Sequence, residues 1–392
     1  MKKLGIITGY GVYNYGTKLQ AYAMQEIFRK KGFQTEIILY SEGNSFSQVK
    51  NYIKGFLYLV LPVFKVIERK TRHSQYIRRQ YGHLSSSSLH LSLIRRLKAI
   101  ESIDVVYTSK RFFTKGSLLR YSKRMVAVVC GSDQIWHPYN CSEFWTLQLV
   151  PEGVRRISYA PSLGVDKLPE EAIPFFTKAM KGIDSISVRE VSGAQILQRL
   201  TEKSVHVVLD PTILVGRLLW DKVLINIPRL AEKDYCLCYL LGTSLEHRDI
   251  IQEVANKKGL VIYNFSHFKK YNDADETLEG EHLYDISPFE FVGLVSKAKF
   301  VITDSFHCSV FSLLYHKEFL ALLRYGSMDR MGTNNRIYSF LGQFGLESRI
   351  VTNRTHLDSL LNSQIDYEKV EQIVAQKRIE SMTFLDDALR GL

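Results

Sequence analysis

Long apolar stretches are missing from this sequence. No run approaches the ~20 consecutive apolar residues that a membrane-spanning helix requires. The nearest, residues 55–67 (GFLYLVLPVFKVI), is too short and carries Pro62 in its middle. The opening MKKLGIIT has too short an apolar run for a signal peptide and reads as a first strand. Cysteine is scarce: Cys130, Cys141, Cys236, Cys238 and Cys308 form an odd, scattered set that excludes a disulfide framework and fits reduced thiols in the cytoplasm. No C-x-x-C occurs, and Cys236 and Cys238 alternate in a strand-like run, which points them to one face as a buried pair. Signatures of helix-turn-helix, zinc-finger and RNA-stacking modules are absent, which removes nucleic acid from the expected partners. No short-period internal repeat is visible.

What is present is an ordinary globular composition with a basic excess. The 392 residues are 45% hydrophobic and 23% charged, which suits one large or two ordinary domains. Tyr (22) and Phe (21) are plentiful, fitting large cores and also carbohydrate-facing surfaces. Lys and Arg outnumber Asp and Glu by 52 to 40, a net charge of +12 that attracts anionic headgroups or phosphate-bearing small molecules. The apolar segment at 55–67 is followed by Arg69, Lys70, Arg72, Arg78 and Arg79. Two readings stay open there: peripheral contact with a membrane interface, or a core helix followed by a solvated basic helix.

Apolar strands alternate with helix-spaced segments along most of the chain. Residues 4–8, 34–40, 125–130, 158–160, 185–188 and 205–209 read as strands, with helices at 16–31 and 192–201. Residues 41–124 form a basic insert, helical in pattern and poor in strand signals. A second series begins near Asp234, with strands at 235–241, 260–264, 300–303 and 318–323. Its helices are expected at 247–258, 288–298, 309–316 and 338–344, with a long one at 367–389. This predicts an α/β protein of two Rossmann-like, doubly wound domains facing a cleft, 1–204 and 205–392, with ligands at the C-terminal ends of the strands.

Four segments carry polar residues in the turn after a strand, where a following helix N-terminus offers free N–H groups. In residues 9–16 (GYGVYNYG), Asn14 could bond a hydroxyl; the glycine spacing fails as a dinucleotide fingerprint. In residues 130–136 (CGSDQIW), Asp133 reads as a helix N-cap or as a base for a sugar hydroxyl. Trp136 reads as core or as a platform for a sugar ring. Arg189, in SVRE, suits a phosphate or carboxylate gripped by two hydrogen bonds, or a structural ion pair with Glu190 or Asp210. In residues 302–310 (ITDSFHCSV), His307 falls in the first turn of a helix capped by Asp304 or Ser305. The helix dipole disfavours its imidazolium there unless a bound phosphate compensates, which suits a general acid; a capping or core His is the competing reading.

In order along the chain, the Tyr-Asn-x-Gly loop with Leu19-Gln20-Ala21-Tyr22-Ala23, GSDQIW, SVRE with LDPT, the Asp-Ser-Phe-His segment and Asn335-Arg336-Ile337 together resemble the polysaccharide pyruvyl transferase family over nearly the whole chain. The resemblance implies a fold like that of the GT-B glycosyltransferases. It also implies transfer of the enolpyruvyl unit of phosphoenolpyruvate onto two hydroxyls of a sugar, forming a cyclic ketal on a cell-surface or capsular polysaccharide precursor. Such acceptors are often lipid-linked at the cytoplasmic membrane face. No cofactor or metal is implied beyond phosphoenolpyruvate as donor substrate. Arg189 matches the family's arginine and His307 its histidine. The expected site is then His307 and Asp133 as catalytic groups and Arg189, Ser305, Arg336 and Arg330 on the donor side. Asn14, Tyr15, Gly16 and Trp136 make up the acceptor side. Ser305 stands where better-known members carry a second donor-binding arginine, which leaves room for a nucleotide-sugar donor on the same fold, or for a non-catalytic protein. Arg324, Arg330 or Arg336 would supply the missing cation.

Overall fold

The structure, a computed structural model, describes residues 1–10, 13–40, 70–71, 73–79, 82, 87–103, 109–228, 233–265, 272–324 and 334–392. Arg330, Gly11 and the apolar segment at 55–67, together with Arg69 and Arg72, lie outside the described residues.

The first half runs β1 (Lys3–Ile7), α1 (Tyr15–Lys30), β2 (Gln34–Tyr40), α2 (Ser87–Ser102), β3 (Ser109–Phe112), α3 (Lys115–Ser122), β4 (Ala127–Cys130), β5 (Arg155–Ser158), α4 (Ile173–Gly182), β6 (Ile186–Val188), α5 (Val191–Gln198), β7 (Val205–Val207), α6 (Pro211–Leu214) and α7 (Arg217–Val223). The second runs β8 (Tyr235–Tyr239), α8 (Leu245–Lys258), β9 (Val261–Asn264), β10 (Glu281–His282), α9 (Pro288–Lys297), β11 (Phe300–Thr303), α10 (Phe306–Leu314), β12 (Glu318–Leu322), α11 (Asn335–Gly342), β13 (Ile350–Val351), α12 (Leu357–Asn362) and α13 (Tyr367–Leu389).

Two wholly parallel sheets result. The first has the order β3-β2-β1-β4-β5. The β6–β7 pair continues it through a bridge between Ile157 and Ser185. The second has the order β10-β9-β8-β11-β12-β13. Each reverses direction beside its first strand, at β1/β4 and β8/β11, and such reversals open a crevice at the carboxyl ends of the strands. The central strands are buried on both faces, as Ala127–Cys130 shows, which is why they read as continuous apolar runs.

Helix α1 lies between the halves, packed against α6, α9 and α10. Its residues from Tyr15 to Gln25 are therefore buried all round, including Lys18 and Gln20. The C-terminal helix, expected with the second half, spans both. Its start stacks Tyr367 on His316, while its end packs Phe384 on Tyr159. Just beyond it, the backbone carbonyl of Arg390 accepts a hydrogen bond from Arg155 at 2.6 Å. β3 lies inside the insert that looked poor in strands. Its sequence, SKRF, has no apolar alternation, and it is a strand because β2 pairs with it at the sheet edge. β7 begins at residue 205, where a second unit was expected to start, yet it pairs with β6; the strands change sheets between Val207 and Tyr235. Among the described residues, no helix is long and apolar enough to cross a membrane.

Candidate functional site

The turns after β1, β4, β6, β7 and β11 converge where the two sheets face each other. Asp210, in the LDPT segment, is the hub. Its Oδ1 accepts from the backbone N–H of Thr212 at 2.9 Å and its hydroxyl at 2.5 Å, so the carboxylate caps α6 ahead of Pro211. Its Oδ2 accepts from Ser132 Oγ at 2.6 Å and from Arg189 Nη1 at 3.2 Å. His307 Nε2 reaches to 3.8 Å of the same oxygen. Arg189 and His307, more than a hundred residues apart in sequence and on opposite halves, therefore meet at one carboxylate.

Arg189 is held on three sides. Nε donates to Glu190 Oε1 at 3.2 Å, Nη1 to Asp210, and the guanidinium carbon lies 3.8 Å from the centre of the Phe306 ring. Both ion-pair partners named from the sequence are thus engaged. Nη2 has no hydrogen-bond partner although the residue is only 3% exposed. His307, in the first turn of α10, is in the same state: buried, with Nε2 unpartnered. A Cβ on Gly16 would fall 2.0 Å from His307 Nδ1, so only glycine at the start of α1 lets the imidazole seat there. Two buried nitrogens without hydrogen-bond partners thus lie near one carboxylate; unpartnered buried nitrogens of this kind are exceptions that call for an explanation.

The charges tune one another. Burial pushes the His307 imidazolium down, against the pull of Asp210 and Asp133 and with the push of Arg189 and Arg336. Burial works against ionising Asp133 and Asp210, but His307, Arg189 and their hydroxyl donors outweigh it and hold both below the usual carboxylate range. Arg336, at the start of α11, is lowered to about 10 by burial and by the like charges of Arg189 and Arg324. Arg189, Glu190, Asp210, Phe306 and Arg336 line one small, partly enclosed pocket. Asn335 donates to Ser192 Oγ at 3.0 Å and to Asp166, and Gln343 to the Arg189 carbonyl at 3.4 Å, so α11 closes the cleft against the first half.

The remaining expected residues divide by burial and bonding. Asp133 adopts a left-handed backbone (φ 75) and accepts from Gln134 N–H at 2.8 Å and from the Thr17 hydroxyl. It caps no helix, because residues 131–150 run through turns. Trp136 is fully buried, with Nε1 donating to the Trp145 carbonyl at 2.9 Å; it fills the core beside Phe176 instead of offering a sugar platform. Tyr15 is likewise core: its hydroxyl donates to the Ile286 carbonyl at 2.5 Å and accepts from Arg96 Nε at 2.7 Å. Asn14 spends its side-chain oxygen capping α1, taking Thr17 N–H at 3.1 Å. Ser305 is the N-cap of α10, its hydroxyl oxygen accepting Cys308 N–H at 3.5 Å. Arg324 donates to the Asp304 carbonyl at 3.1 Å. Asp210, Thr17 and Phe306 were missed as site residues. The Asp-Pro pair was visible, but only the fold brings it under Arg189.

Two parallel sheets of this strand order facing each other at their carboxyl edges define a GT-B-like fold. The fold matches a protein from Listeria monocytogenes assigned as a UDP-N-acetylglucosamine 2-epimerase (TM-score 0.54, 11% identity, 100% of this chain and 97% of that one). It also matches a glycosyltransferase from Rickettsia africae (TM-score 0.52, 9% identity, 100% and 99%). At such identity these similarities bear on fold alone. No curated protein matches the chain. The sequence profile of the polysaccharide pyruvyl transferases matches residues 14–325, and the chain belongs to that family.

Proposed function

We propose that the protein transfers the enolpyruvyl group of phosphoenolpyruvate onto two hydroxyls of a sugar in a cell-surface polysaccharide precursor, forming a pyruvate ketal. The observation that carries this reading is the pair of buried nitrogens without hydrogen-bond partners, Arg189 Nη2 and His307 Nε2, near Asp210, with Arg189 and Arg336 lining one pocket there. Phosphoenolpyruvate bears a phosphate and a carboxylate on one small carbon frame, which suits two guanidinium groups and an imidazole. Arg189 and Arg336 hold its charges, while His307 takes up a proton as the anion arrives and delivers it to the methylene carbon. The donor's C2 then accepts the sugar hydroxyl.

A nucleotide-sugar donor is the competing reading, and Asp304 weighs against it. A nucleotide diphosphate on this fold sits on the backbone N–H groups of a first strand-to-helix turn. Here the turn after β8 already holds an anion of its own, since Asp304 accepts Leu241 N–H and Gly242 N–H, each at 2.7 Å.

Incubation with phosphoenolpyruvate and a panel of model or lipid-linked galactosides tests the proposal. Acceptor-dependent phosphate release with ketal formation is expected, falling at least 100-fold in His307→Ala. Turnover of a nucleotide sugar with none of phosphoenolpyruvate would reverse the assignment.

A further inference from the structure

We propose that Glu190 is a catalytic residue of this site, the base that takes the proton of the attacking acceptor hydroxyl. The inference rests on the transfer reading above and deepens it.

Three carboxylates meet at the centre, and their hydrogen bonds separate their roles. Asp133 has both oxygens engaged, by Thr17 and by Gln134 N–H. Asp210 is engaged fully, by Thr212, Ser132 and Arg189. Glu190 gives Oε1 to Arg189 Nε at 3.2 Å, while Oε2 has no partner although the residue is 3% exposed. Burying a carboxylate oxygen without a donor is costly. The fold also had an outlet for it. Glu190 occupies the N-cap position of α5, where a side-chain oxygen ordinarily takes the first free N–H groups, yet it caps nothing. The carboxylate gives Oε1 to Arg189, and the residue lines the same pocket as Arg336 and Phe306. An acceptor hydroxyl that reaches Oε2 finds a carboxylate oxygen with no hydrogen-bond partner of its own.

The proton balance closes with this one base. His307 gives its Nε2 proton to the methylene carbon of phosphoenolpyruvate. The first hydroxyl oxygen bonds to C2, and its proton passes to Glu190 Oε2. The bond from C2 to the phosphate oxygen then breaks and the second hydroxyl bonds to C2. The proton on Glu190 leaves with the phosphate, and the second hydroxyl's proton recharges His307. Diol and phosphoenolpyruvate become ketal and phosphate, with no oxidation or reduction.

The test pairs Glu190→Gln, which keeps an oxygen for Arg189, with Glu190→Ala. Phosphoenolpyruvate binding is read by calorimetry, turnover across pH, and folding by thermal unfolding. Glu190→Gln should lose about 100-fold or more in kcat and bind the donor within about threefold of wild type. Formate should restore activity to Glu190→Ala and not to His307→Ala. Near wild-type kcat in Glu190→Gln, or a loss that appears only as weaker donor binding, would overturn the assignment. Wild-type protein that turns over no phosphoenolpyruvate would sink the transfer reading and this inference together; wild-type turnover left intact in Glu190→Gln sinks this inference alone.

Discussion

At the scale of single residues, the proposed function makes His307 a proton switch that waits for an anion. Burial holds its imidazole below the ordinary value of 6.5, so near neutral pH the empty site carries it uncharged. A dianion beside Nε2 favours the charged form, and by linkage anion binding must then draw in a proton. Affinity should therefore strengthen as pH falls from about 7.5 toward 6, by up to about tenfold per pH unit for one proton. Sulfate is the suitable probe, because it keeps its charge across that range. Calorimetry in buffers of differing ionisation heat should show uptake near one proton, and the pH slope should vanish in His307→Gln. A slope that survives that change would place the proton elsewhere. Arg189 and His307 were marked in the sequence by their place after apolar strands and by the family resemblance, with an ion pair and a capping or core role open beside the functional ones; the fold brings both to Asp210. The roles of Trp136 and Tyr15 were not legible, since an aromatic residue reads the same whether it meets a sugar or a core, and burial alone decides.

At the scale of elements, the site depends on how closely α1 and α10 approach. Gly16 is the point of contact, and a methyl there would have to displace His307, because its Cβ would lie 2.0 Å from Nδ1. Gly16→Ala should cost about 1–3 kcal/mol of stability through overpacking and lower kcat by more than 100-fold, read by thermal unfolding beside steady-state kinetics. Ordinary turnover in this variant would mean that the imidazole position is unimportant. Most elements were readable from periodicity; in the structure Ser287 with Glu290 caps α9 and Gly259 closes α8. Two departures share a cause. The turn at 131–150 and the strand β3 take their form from partners distant in sequence, Pro161 against Asp133 and β2 against β3, and local pattern carries no trace of such pairing.

At the scale of the whole molecule, the two sheets form one catalytic unit only if their edges present a single binding site. Asp210 follows the last strand of the first sheet, His307 follows β11 of the second, and α1 and α13 tie the halves together. The alternation of strands and helices made the twofold plan visible in the sequence; the joint between the halves, built from a helix that looks ordinary and a C-terminal segment that returns across the molecule, was not. The most direct test is a double-mutant cycle on phosphoenolpyruvate binding, using Arg189→Lys and His307→Ala singly and together. Arg189→Lys keeps a cation beside Asp210 and Glu190, which avoids stranding buried carboxylates. Groups that grip one guest should show a coupling of at least about 1 kcal/mol, whereas additivity within about 0.3–0.5 kcal/mol would mean that they act on separate sites and that the shared-anion account is wrong.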